Sequence, residues 1–101
     1  MIQLVEVYMD GHGSPSGRDR HPQYSLREVY INPKHVVAIR TDTKMNTKLQ
    51  EGLLPDELDY RQSFTKIFLD RGQAGIDLVV VGESALISQK LGIPQRELLK
   101  G

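Results

Sequence analysis

The chain has 101 residues, 39% of them hydrophobic, and 13 basic residues balance 13 acidic ones to zero formal net charge. That length supports one domain with one modest core, and a domain of this size buries roughly 65% of its unfolded surface. The charge balance lacks the positive excess usual in proteins that grip nucleic acid through its phosphates, and near-neutrality does little to keep copies apart.

The chain has no cysteine, which removes disulfides, cysteine metal sites and thiol nucleophiles. The first residues, Met1–Glu6, lack the basic segment and apolar run of a signal peptide, and no apolar run is long enough to span a bilayer. A reducing cytoplasm, of a cell or of a virus-infected cell, is the expected compartment, with no membrane partner.

Ile2–Met9 is rich in β-branched and aromatic residues and reads as a strand. Residues 11–22 hold three Gly, two Pro, two Ser and two His, the composition of a surface loop. Leu26–Ile31 reads as the second strand and Val36–Thr41 as the third. Asn32-Pro33 between them suits a tight turn, so the expectation is a hairpin. Residues 42–62 break the pattern. Thr43–Glu51 can form a turn or two of helix, limited by Gly52 and Pro55, and Asp56, Glu57 and Asp59 form an acidic patch. A stretch of this length without periodic structure reads as an insertion.

Ser63–Leu69 and Ile76–Val81 read as a second hairpin, joined through Gly72–Gly75. The apolar run Leu78–Val81 predicts a central strand covered on both faces. Ser84 is the expected N-cap of a closing helix that carries Leu86, Ile87 and Leu91. Gly92 and Pro94 stop it. The expected domain is residues 1–92, with long loops at 11–22 and 42–62 and a short tail at 93–101.

Several segments carry residue types with chemical potential. Gly11–Gly17 follows a strand as phosphate-binding loops do, but Pro15 and Pro22 oppose the helix such a loop must enter. Asp10, His12, Asp19 and His21 are metal-ligand types without ligand spacing. There is no Gly-x-Ser-x-Gly elbow to activate a serine, and Gly82-Glu83-Ser84 reads as a helix start. His35, at the head of a strand, reads as structural, and the acidic patch as a solvated face. No set combines nucleophile, base and orienting group, so the expectation is a non-enzyme with no catalytic residue, metal or cofactor.

Two readings remain. Phe64 and Phe68 share one face of their strand, while Ile67 and Leu69 share the other. Such a strand is either covered twice, by the helix and by the insertion, or it bears a sticky face. On the second alternative the chain binds a protein partner or itself, and Leu53, Leu54, Phe64 and Phe68 are the candidate contacts. The alternative is a nucleic-acid-binding domain using Arg18, Arg20, Arg27 and Lys34, with nearby tyrosines for stacking. Its basic residues are diluted by Asp10, Asp19 and Glu28.

The segment Ile31-Asn32-Pro33-Lys34-His35-Val36-Val37-Ala38-Ile39 is followed later by Phe64–Gly72, Leu78–Ser84, Leu86-Ile87 and Lys90-Leu91. Over residues 26–40 and 63–92 this pattern resembles the FlbD-like family of small flagellar and phage-type proteins. The same order of elements is also similar to LytTR-type DNA-binding domains, which are usually more basic. The FlbD-like resemblance implies a small β-meander with a packed helix and carries over no catalytic residue. The loops at 11–22 and 42–62 are extra to it. Together these readings predict an α+β fold: a small, mainly antiparallel five-stranded sheet, or half-open barrel, with one C-terminal helix. The predicted core is Val5, Val7, Val29, Ile31, Val37, Ile39, Ile67, Leu69, Val79, Val81, Leu86, Ile87 and Leu91.

Overall fold

The computed structural model describes residues 1–10, 23–55, 57–71 and 74–92. The strands are β1 (Ile2–Asp10), β2 (Gln23–Ile31), β3 (Val36–Thr41), β4 (Phe64–Arg71) and β5 (Ala74–Val81). Two α-helices accompany them, α1 (Thr43–Gln50) and α2 (Ser84–Leu91). The strands form one open sheet in the order β2-β1-β5-β4-β3, and every neighbouring pair is antiparallel. The fold is therefore α+β with a five-stranded antiparallel sheet, and among the described residues the helical turns at Thr43–Gln50 stand as a second helix beside the one predicted at the C-terminal end.

The extra helix forms because Asp42 caps it, accepting from the Met45 N–H at 3.0 Å, and because Met45 and Leu49 stack one turn apart on the buried side. Its other residues are polar, so its apolar stripe is only two residues wide and leaves little periodic signal. Gly52, with φ +77°, takes the left-handed turn that ends the segment.

The expected hairpin between the second and third strands is absent. β2 pairs with β1 and β3 with β4, so the two lie on opposite edges of the sheet. The link between them is only Asn32 and the 3-10 turn Pro33–His35, in which Asn32 Oδ1 accepts from the Lys34 N–H. In a flat sheet the two edges would stand about four strand spacings apart, roughly 19 Å. A link containing a 3-10 turn, rising ~2 Å per residue, falls well short of that. The sheet must coil until its edges approach at this end. Ile31 of one edge and Val36 and Ile39 of the other accordingly meet the same core.

The sheet has a core on each face. On the concave side α2 sets Ile87 and Leu91 against Leu4, Ile31, Ile67 and Val80. On the other side α1 and the segment after it cover Val7, Tyr24 and Phe64 with Met45, Leu49 and Leu54. β5 is the covered central strand that was expected, with Val80 facing the first core and Val79 and Val81 the second. Both apolar faces of β4 are thus used at its first half.

Three predicted core residues are exposed. Val37 is 67% exposed because a bulge between Val36 and Ala38 shifts the β3–β4 register, so Val36 takes the inward place instead. Val5 lies opposite Glu28 and outside the cover of α1, 39% exposed. Leu86 is 50% exposed, since α2 presents Ile87, Ser88 and Leu91 to the sheet. Ser88 is wholly buried on that face, and its hydroxyl donates to the Ala85 carbonyl.

Ser84 is the first helical residue and not the cap. The cap position is Glu83, which makes no side-chain capping bond. The Ser84 hydroxyl instead joins a chain of three. Thr65 Oγ1 donates to the Gly82 carbonyl at 2.9 Å and lies 3.1 Å from Ser84 Oγ, which lies 2.9 Å from Thr41 Oγ1. Because the Thr65 proton is committed to Gly82, Ser84 donates to Thr65 and Thr41 donates to Ser84. The chain ties β3, β4 and the start of α2 together. Thr65→Val keeps the shape but removes the wholly buried hydroxyl, and is expected to cost about 1–2 kcal/mol in urea unfolding.

Candidate functional site

Alternation along β4 points Phe64, Lys66 and Phe68 to the face that α1 covers. The cover ends over Phe64. Phe68 lies four residues further, ~13 Å along the strand, and is half-buried at the open end of that face. The Arg40 guanidinium stands 5.5 Å and the Lys66 ammonium 6.0 Å from its ring centre, positions in which the ring quadrupole attracts cations.

Phe68 forms a ridge between two shallow hollows. One, of ≈ 250 Å³, is lined by Arg40, Thr41, Asp42, Thr43, Lys44 and Lys66 as well as the ring. The other, of ≈ 510 Å³, is bordered by Val37, Leu69, Asp70, Gly75, Ile76 and Asp77. The bulge that turns Val37 outward places it on the second hollow. The surface is therefore apolar along Phe68 and Val37, basic toward α1 and acidic toward the β4–β5 turn.

The other candidate contacts lie elsewhere. Phe64 is wholly buried and Leu54 is 6% exposed, both inside the second core, so neither is free to meet a partner. Leu53 is half-buried against that core, and its carbonyl accepts from the Tyr24 N–H at 3.4 Å. The insertion folds back as the cover of the sheet, the first of the two alternatives that the two-sided apolar strand leaves open. Its polar residues secure it: Asn46 donates to the Gln62 carbonyl and Gln50 to the Tyr60 carbonyl, each at 2.7 Å. Lys48 donates to the buried Tyr24 hydroxyl at 2.7 Å, which raises its pKa above the ordinary lysine value.

Of the nucleic-acid candidates, Arg18 and Arg20 lie outside the described residues. Arg27 is engaged within the chain: its Nε donates to Glu6 Oε1 at 2.8 Å and its guanidinium stacks 4.2 Å from the Tyr8 ring centre. That hydrogen bond, with the charge of Glu6, raises the Arg27 pKa further. Lys34 is exposed in the 3-10 turn, away from Arg27 along the chain. Gly11–Gly17, His12, Asp19 and His21, with the phosphate-loop and metal readings they prompted, are also outside the described residues, as is Asp56. Asp59 is held below the usual carboxylate pKa by the Arg61 backbone N–H and then by its side chain. His35 is exposed.

Arg40, Lys44 and Lys66 were not anticipated as a group. Their convergence depends on the register that sets Arg40 opposite Lys66, and on a helix starting at Thr43. The cap signature of Asp42 was the one available signal. No protein-family model matches this chain, and neither a curated protein nor a solved structure similar to it was found.

Proposed function

We propose that this chain is a non-enzymatic interaction module that docks a protein partner, or a second copy of itself, on the ridge formed by Phe68 and Val37. The observation that carries the reading is an aromatic ring left half-open on the sheet beside a hydrophobic side chain turned outward by a bulge. Bulges recur where a strand has to re-aim a side chain. An aromatic flanked by hollows is the kind of anchor on which interfaces concentrate their binding energy. A rigid sheet presents it with little ordering cost.

The resemblance to FlbD-like proteins is compatible with a small module of this kind and adds no residue to the site. The nucleic-acid alternative draws less support, because Arg27 is occupied by Glu6 and Tyr8.

Phe68→Asp tests the reading. The residue is half-exposed, so the variant is expected to fold. Self-association is measured as solution mass over a concentration series, and partner binding as recovery of the same bound protein from the native host. Loss of either in the folded variant supports docking on the ridge. Unchanged mass and unchanged recovery would remove the ridge from the interaction.

A further inference from the structure

Three cations meet at the corner of β3, β4 and α1 in places that cross-strand pairing and helix position disfavour, offset for two of them only by the Phe68 ring and a long contact to Asp77. Arg40 and Lys66 are directly opposite each other on neighbouring strands, where like charges are destabilising. Lys44 lies in the first turn of α1, which contains no acidic residue, at the helix end that repels cations. Among the described residues neither Arg40 nor Lys44 is within ion-pair distance of a carboxylate, and Lys66 reaches only Asp77, at 3.8 Å. All three line the ≈ 250 Å³ hollow beside Phe68. Local conflicts of this kind are expected where a site serves a ligand and not the fold.

We infer that this corner receives the carboxylates of an acidic, partly apolar segment of a protein partner, with its apolar residues resting on Phe68. The inference rests on the docking role proposed above and specifies the chemistry of what docks. Charge limits the ligand. Asp42 lies in the hollow and Asp77 beside Lys66, so the three positive charges are offset to a net of one. That suits one or two carboxylates. A nucleic-acid strand, with a phosphate at every nucleotide, would run from the corner onto Asp42, Asp70 or Asp77. Arg40 supplies a planar fork that matches a carboxylate, while Lys44 and Lys66 act as point charges around it.

The test uses the full chain against an array of eight-residue peptides carrying one or two Glu in every register among Leu, Phe and Ser. A matched array has Gln for Glu, and an immobilised single-stranded oligothymidylate is included. Glu peptides are expected to bind at least tenfold more tightly than their Gln counterparts and to weaken as salt rises. Lys44→Glu is expected to abolish that preference while raising the thermal midpoint by roughly 2–6 °C, because it places an acid in the first helical turn and relieves the cationic cluster. A merely structural lysine would not give these opposite signs. Equal binding of Glu and Gln peptides, binding to neither, or tighter binding of the oligonucleotide would overturn the inference. If Phe68→Asp still abolishes docking in those cases, the interaction role stands without it; if Phe68→Asp is silent too, both fall.

Discussion

Phe64→Ala is expected to lower folding stability by about 3–5 kcal/mol, the cost of removing a large aromatic from a closed core. Phe64 is wholly buried, and it joins parts of the chain distant in sequence: Met45 and Leu49 from α1, Leu54 from the segment after it, and Val7 and Tyr24 from the far side of the sheet. Truncation opens a space that none of these can fill without moving the helix. Against a total of 5–15 kcal/mol for ordinary domains, the variant should sit near the edge of folding at room temperature. Phe68→Ala, on the same strand face, should change stability by less than ~1 kcal/mol. Urea titration of the pair measures the contrast directly. Similar losses for the two would mean that the cover of α1 extends over Phe68 in solution.

Excising the insertion should have a comparably large effect. The backbone allows it: Asp42 N–H donates to the Phe64 carbonyl at 2.9 Å, and Thr41 pairs with Thr65. Replacing residues 43–63 by Asn-Gly therefore leaves a sterically sound two-residue hairpin. The shortened chain nonetheless loses Met45, Leu49 and Leu54 and uncovers Val7, Tyr24, Phe64, Val79 and Val81 on one face. A contiguous apolar patch of that kind is expected to aggregate or bind hydrophobic dyes. A drop in thermal midpoint of at least ~10 °C, corresponding to roughly 2 kcal/mol or more, is expected. An appended recognition loop would instead come away with an unchanged midpoint.

Sequence pattern specifies the local elements of this fold far better than the contacts between distant ones. Strands announced themselves through alternation and β-branching, and Val36–Thr41 has the same limits in the sequence reading as in the structure. Gly92 stops α2 in the left-handed conformation, as its place after Leu91 suggested. Pairing was much less legible. Asn32-Pro33 has the chemistry of a tight turn and forms one, but which strands lie beside each other is decided by partners as far apart as Glu6 and Val80. The turn or two of helix over Thr43–Glu51 was legible and forms as α1, but its packing role was not, because two apolar residues in eight make a faint stripe and most of its holding force lies in contacts to the sheet. At the candidate site, Phe68 could be named from alternation alone. The three cations could not be grouped, because their proximity depends on cross-strand register and on the start of a helix. Val37 was placed inward by strict alternation, and one extra residue in the strand reversed it.

The short link Asn32–His35 bears on what the edges of the sheet offer to another chain. β2 and β3 are the two edges of the sheet, and a free edge is a template for another chain. Fibre-like growth requires edges that are straight, parallel and able to stack on flat neighbours. A covalent leash this short keeps the two edges of one molecule turned toward a common seam and prevents the sheet from flattening while the core on α2 is intact. The turn that joins two strands that do not pair is thus also a guard on both of them.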